Sequence, residues 1–149
     1  RQVIFVTKEK LIELLNKGLE LEHQAEAQYL SHATLVKGEG AEGIIGRLKE
    51  IAGDEHKHAE MFRDCIEILD GTPVIKMAQG HPATANTQIL QVNLKDERFA
   101  VDFYRTIVEE LQKSKAELKY EHEFIEHKLR HIIIDEEEHA LELRTLLGE

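Results

Sequence analysis

Two stretches, DEHKHAEMF at residues 54–62 and DEEEHALEL at 135–143, set Asp-Glu-x-x-His into runs whose apolar residues recur every three or four positions. Residues three apart share a helix face, so each stretch puts a carboxylate and an imidazole one turn apart. The spacing alone is weak. With 23 Glu and 9 His in 149 residues, chance gives about 1.4 such pairs, and the chain has three. What distinguishes them is where on the helix they fall.

Four apolar seams are legible. The first opens at Thr7 and passes through Leu11, Leu15, Gly18, Glu22, Ala25, Tyr29 and Ala33 to the glycines of KGEG. The second, at about 41–70, carries Ile44, Leu48, Ile51, Glu55, His58, Phe62, Cys65 and Leu69, with Gly71 ending it. A third starts near Thr87 and holds Leu90, Leu94, Glu97, Val101, Tyr104, Ile107 and Leu111. The fourth is predicted to begin at SKAE, with Ser114 and Glu117 as a capping box, and continues through Ile125, Leu129, Ile132, Glu136, His139, Leu143 and Leu146. This periodicity predicts an all-α, antiparallel four-helix bundle, a single domain over residues 1–149.

Between the second and third helices lies GTPVIKMAQGHPATAN, residues 71–86, which contains both prolines. Extended, it spans roughly 50 Å, enough to travel the length of helices about 40 Å long and let helices two and three run parallel. Val74, Ile75 and Met77 are expected to hold this crossover against the bundle.

Glu20 and His23, the third Glu-x-x-His pair, fall off the first seam and read as solvated side chains. Glu22, Glu55, His58, Glu97, Glu136 and His139 stand on seams where Leu or Ile would otherwise be required. An unpaired buried carboxylate is so costly that it neutralises or unfolds the site, and the seams hold no Lys or Arg to pair with the four. Two divalent metal ions restore neutrality. Mixed oxygen and nitrogen donors with Tyr29 nearby suit iron or manganese better than calcium or structural zinc. A metal-free network of shared protons is the alternative. A bound imidazole needs a partner for its second nitrogen, and Asp135 is expected to support His58, and Asp54 to support His139, across neighbouring helices. Tyr29 is a candidate redox-active or hydrogen-bonding neighbour.

A net charge of −10 without a basic run argues against nucleic-acid binding. The apolar residues 3–6 are too few for a signal peptide or membrane span, and the lone Cys65 points to a reducing compartment, hence a cytoplasmic protein. The chain starts at Arg1 rather than Met, so its N-terminus is trimmed or incomplete.

These residues resemble the ferritin-like superfamily, bacterioferritins most of all. ELEHQAEAQYLSHA is similar to that family's first-helix signature, DEHKHAEMF to its second-helix motif, and DEEEHALEL to the fourth, with Glu97 before FYR as the third-helix ligand. The resemblance implies two iron ions per chain held by those six residues, with Glu22 terminal and Glu55 bridging. It further implies a ferroxidase that oxidises Fe(II) with dioxygen or hydrogen peroxide for iron storage or detoxification, and a homodimer or larger homo-oligomer. Ile12, Ile45 and Ile51 are expected to supply apolar surface for pairing. The family's haem-ligating Met is replaced by His56, a candidate haem ligand, and no fifth helix follows LLGE. A rubrerythrin-like peroxide reductase is the alternative, but its extra third-helix Glu is Ala100 here and no Cys-x-x-Cys is present. A non-catalytic helical module leaves six inward polar residues unexplained.

Overall fold

The computed structural model describes the backbone from residue 2 to 149 and side chains from residue 8. The side chains of the apolar start and of Thr7 lie outside the described residues. Four helices make up the fold, α1 (Gln2–Ala33), α2 (Ala41–Ile68), α3 (Asn86–Lys113) and α4 (His122–Leu147), and the described residues contain no strand. None of these helices is long and apolar enough to cross a membrane.

Contacts along the bundle give its topology. Lys10 pairs with Glu110 near one end of α1, Tyr29 meets Glu97 in the middle, and Asn86 bonds Lys37 just beyond the other end, so α3 runs antiparallel to α1. Asp64 with Lys128, and Arg47 with Glu142, make α4 antiparallel to α2. As α1 and α2 form a hairpin, α2 and α3 are parallel, as the crossover length predicts.

Two apolar clusters fill the bundle. One contains Leu15, Phe62, Ile107 and Ile125, the other Leu48, Ile51, Ile89 and Leu143, and the polar seam residues lie between them. Gly18 lets α1 approach α2, since a Cβ there would stand 2.5 Å from the buried Phe62 ring. Cys65 is buried as expected, and burial pushes its thiol up to about 12.

The structure corrects four expectations. Helix α1 begins at Gln2, before Thr7. Helix α4 begins at His122 instead of Ser114, because the Ser114 hydroxyl donates back to the Glu110 carbonyl at 3.0 Å and closes the end of α3. Ile51 is fully inside the core and offers no pairing surface, whereas Ile12 and Ile45 pack against the core and stay partly exposed. Of the three strap residues expected to pack, only Val74 does. Ile75 is 95% exposed and Met77 53%.

Polar anchors on α1 hold the strap instead. Asn16 donates to the Thr72 carbonyl at 3.1 Å and accepts from the Val74 amide at 2.9 Å, while the Ala78 amide donates to the Glu20 carbonyl at 3.0 Å. His23, supported by Arg63 at 2.8 Å, sits 2.9 Å from the Lys76 carbonyl. Removing the Asn16 amide forfeits two bonds, about 1–2 kcal/mol. Asn16→Ala is therefore expected to lower the melting temperature by about 2–8 °C and to speed proteolytic cleavage between residues 72 and 80. Unchanged values on both measures would contradict this anchoring.

Candidate metal centre

All six carboxylate and imidazole residues of the seams meet between the two apolar clusters. Glu22 comes from α1, Glu55 and His58 from α2, Glu97 from α3, and Glu136 and His139 from α4, each no more than 3% exposed. They form two overlapping groups, Glu22, Glu55, His58 and Glu136, and Glu55, Glu97, Glu136 and His139. Within each group one donor atom per residue lies within 4.8 Å of the others. Glu55 and Glu136 belong to both.

Each of the six turns a buried atom without a hydrogen-bond partner into this space. These atoms are Oε1 of the four glutamates and Nδ1 of both histidines. His58 Nδ1 stands 3.0 Å from Glu55 Oε1 and 3.4 Å from Glu22 and Glu136, and His139 Nδ1 stands 3.1–3.7 Å from Glu136, Glu97 and Glu55. None of these approaches is aligned as a hydrogen bond. Donors arranged about an ion at 2.0–2.1 Å are separated by about 2.8–3.4 Å along an octahedral or tetrahedral edge. Orphaned donors at that spacing fit metal ions at both groups.

The outward atoms of the same residues are tied down across the bundle. His58 Nε2 meets Asp135 at 2.8 Å and His139 Nε2 meets Asp54 at 2.9 Å, the two crossings expected from the sequence. Each leaves Nδ1 as the nitrogen facing inward. Tyr29 donates to Glu97 Oε2 and Tyr104 to Glu22 Oε2, both at 2.6 Å, and Oε1 of each glutamate is left without a partner. Tyr104 was not singled out in the sequence, although it follows Glu97 by seven residues just as Tyr29 follows Glu22.

Other residues stand apart from the centre. His56 is exposed, with Nδ1 3.2 Å from Glu26 and Nε2 3.9 Å from Glu60. Glu20 and His23 face the strap. A buried network that sequence reasoning missed adjoins the centre: Gln28 receives the Gln24 amide at 2.7 Å and donates to Asn93 at 2.9 Å and Asp96 at 2.8 Å. Asn93 continues it to His32 at 2.9 Å. Only the adjacency of Gln28 to Tyr29 hinted at it.

Crowding sets the electrostatics. Among the described residues no Lys or Arg lies within ion-pair distance of the four glutamates, and histidines are their nearest cationic partners. Burial and then neighbouring carboxylates lift Glu55 and Glu136 well above the usual range, and burial likewise raises Glu97. Burial opposes a charged His139, but Glu97, Glu55 and Asp54 outweigh it and lift the ring from 6.5 to about 10. His58 is raised in the same way, burial being outweighed by Glu22, Glu136 and Glu55. Burial, with carboxylates nearby, also raises Tyr29 and Tyr104.

These directions have one sign. The metal-free folded chain keeps protons on His139 and on the raised glutamates at pH values where the unfolded chain has released them, so its stability falls as pH rises. Its melting temperature is expected to drop between pH 6.5 and 10, and Zn(II) is expected to flatten that slope by replacing the protons. A metal-free melting temperature that stays level or climbs over this range would refute the assignment.

Glutamates from two helices combined with Glu-x-x-His from the other two, at the middle of a bundle with one long crossover, define the dinuclear carboxylate class of ferritin-like proteins. The chain belongs to the ferritin-like domain family, which it matches over residues 12–149. It is 30% identical over 139 residues to a bacterioferritin of Streptomyces coelicolor, covering 93% of this chain and 80% of that protein. It is 32% identical over 89 residues to a bacterial ferritin of Pseudomonas aeruginosa, covering 60% of this chain and 58% of that relative's length. Among solved structures it is similar to ferritin-like diiron-carboxylate proteins from Bacillus anthracis, with a TM-score of 0.84 at 28% identity, covering 95% of this chain and 97% of that one.

Proposed function

We propose that the protein is a ferroxidase that takes two Fe(II) ions per chain as substrate and oxidises them with dioxygen or hydrogen peroxide, in iron storage or detoxification. The observation that carries this reading is the set of six buried, unpartnered donors converging from four helices. Each Fe(II) gives up one electron, so a pair supplies the two that reduce one peroxide to water or one dioxygen to peroxide.

The residues divide that task. Glu55 and Glu136, common to both groups, bridge the two positions, Glu22 with His58 completes one, and Glu97 with His139 completes the other. Four carboxylates and two neutral imidazoles balance two divalent ions, and manganese fits the same donors. Tyr29 and Tyr104 each hold one oxygen of a terminal glutamate and leave the other free to follow the ion. Asp54 and Asp135 keep the imidazoles turned inward. The protons that His58 and His139 hold in the metal-free chain leave when metal enters.

The same reading places the protein in the cytoplasm as a homodimer or larger homo-oligomer, and without haem. His56 is exposed and stands beside Glu26 and Glu60.

Metal analysis and stopped-flow oxidation of Fe(II) test the proposal. Wild type and Glu20→Ala are expected to bind two ions per chain and oxidise iron equally. Glu97→Ala and His139→Ala should each lose at least one ion and slow oxidation by about tenfold or more. Full metal content in both variants would sink the assignment. His56→Ala should leave haemin binding unchanged, and a low-spin haem spectrum abolished by that substitution would reverse the haem-free reading.

A further inference from the structure

The ferroxidase reading does not account for the cavity between α1 and α3. It encloses about 410 Å³, with carbon surfaces of Leu21, Ala25, Ala78, Phe99 and Ala100 on its walls. Carboxyl groups of Glu22, Glu55, Glu97 and Glu136 reach it, and neither His58 nor His139 does. The strap covers one side, fixed there by the Ala78 amide on the Glu20 carbonyl and the His81 amide on Gln28 Oε1 at 2.8 Å. Both histidine–aspartate contacts join α2 to α4 on the far side. The cavity therefore meets the side of the centre that imidazole does not close.

Lining and size together select an occupant. Away from the four glutamates the walls are largely carbon, and the buried polar side chains there are engaged with one another. Gln28 Oε1 already accepts from Gln24 and His81, its Nε2 is spent on Asn93 and Asp96, and Asn93 Nδ2 is spent on His32 and the Ile89 carbonyl. Asp96 is also held by His81 at 2.9 Å. A water occupies about 30 Å³, and an apolar protein cavity of about 150 Å³ accepts benzene. Dioxygen or peroxide would fill only a small part of 410 Å³.

We propose that this cavity binds a small, uncharged organic molecule, the size of a substituted or fused aromatic ring, against the carboxylate face of the metal centre. Its binding rests on the cavity, and what it meets there rests on the metal-centre reading.

Indole is the probe. The chain has no Trp, so indole fluorescence is not masked by the protein. Titration of metal-free wild type is expected to saturate at one indole per chain with a Kd below about 1 mM, and p-cresol is expected to compete. Ala25→Phe, which places a ring in the cavity, should weaken indole binding at least tenfold while retaining two Zn(II) per chain. Should Ala25→Phe fail to fold by circular dichroism, Phe99→Ser carries the comparison, because Phe99 is 59% exposed and removing it costs one cavity wall but little core. In Co(II)-loaded protein, bound indole should shift the visible absorption bands. No saturable binding to wild type, or undiminished binding to the folded cavity variants, overturns the proposal, and a Co(II) spectrum unmoved by saturating indole overturns its placement. Retained indole binding with no uptake of Zn(II) or Co(II) would support the cavity site and reject the metal centre, so the two failures are separable.

Discussion

Four carboxylates buried within a few ångströms of one another, with no Lys or Arg among the described residues beside them, are the constraint on which the bundle depends. Each buried charge costs several kcal/mol before compensation. The apolar clusters on both sides of the centre offset that cost, and they do so only because each helix extends several turns beyond its ligand in both directions. Long helices and a divided core are thus two sides of one requirement. A shorter bundle could hold the ligands or the leucines, but not both.

Within this frame the chain repeats itself. Glu22 and Tyr29 on α1 correspond to Glu97 and Tyr104 on α3, and Asp54, Glu55 and His58 on α2 to Asp135, Glu136 and His139 on α4. Every outer contact crosses to the corresponding helix: Tyr29 to Glu97, Tyr104 to Glu22, His58 to Asp135 and His139 to Asp54. Crossed pairs fix register as well as side-chain orientation. A slip of one residue between α1 and α3 would break both tyrosine contacts, and one between α2 and α4 would break both histidine contacts.

The seams, the six candidate ligands and the parallel course of α2 and α3 were legible because helical periodicity and chain length alone set them. The Asp–His crossings were legible too, since an i to i+4 reach along one helix would have turned the ring away. Features that depend on tertiary neighbours were not. Ser114 has the residue type of a helix start, but its hydroxyl bonds backward to Glu110. Ile75 and Met77 have the residue types of a packed strap, yet Asn16, Glu20, His23 and Gln28 hold it through backbone atoms that no side-chain pattern records. The Gln28–Asn93 network joins residues 65 apart in sequence, each unremarkable on its own helix.

The two faces of the centre consequently differ although the halves match. Between α2 and α4 the histidine–aspartate contacts close the bundle, whereas between α1 and α3 the tyrosines bond to carboxylates above and below an opening. What holds that opening reaches back into the core. Phe62 occupies the space that a side chain at Gly18 would need, and its ring lies 5.1 Å from that of Tyr104, whose hydroxyl fixes Glu22. A larger residue at position 18 would clash with Phe62, whose ring packs on the tyrosine that holds a glutamate one turn away. The absence of one Cβ between α1 and α2 is therefore linked by contact to a carboxylate presented between α1 and α3. Packing and chemistry in this bundle share the same side chains.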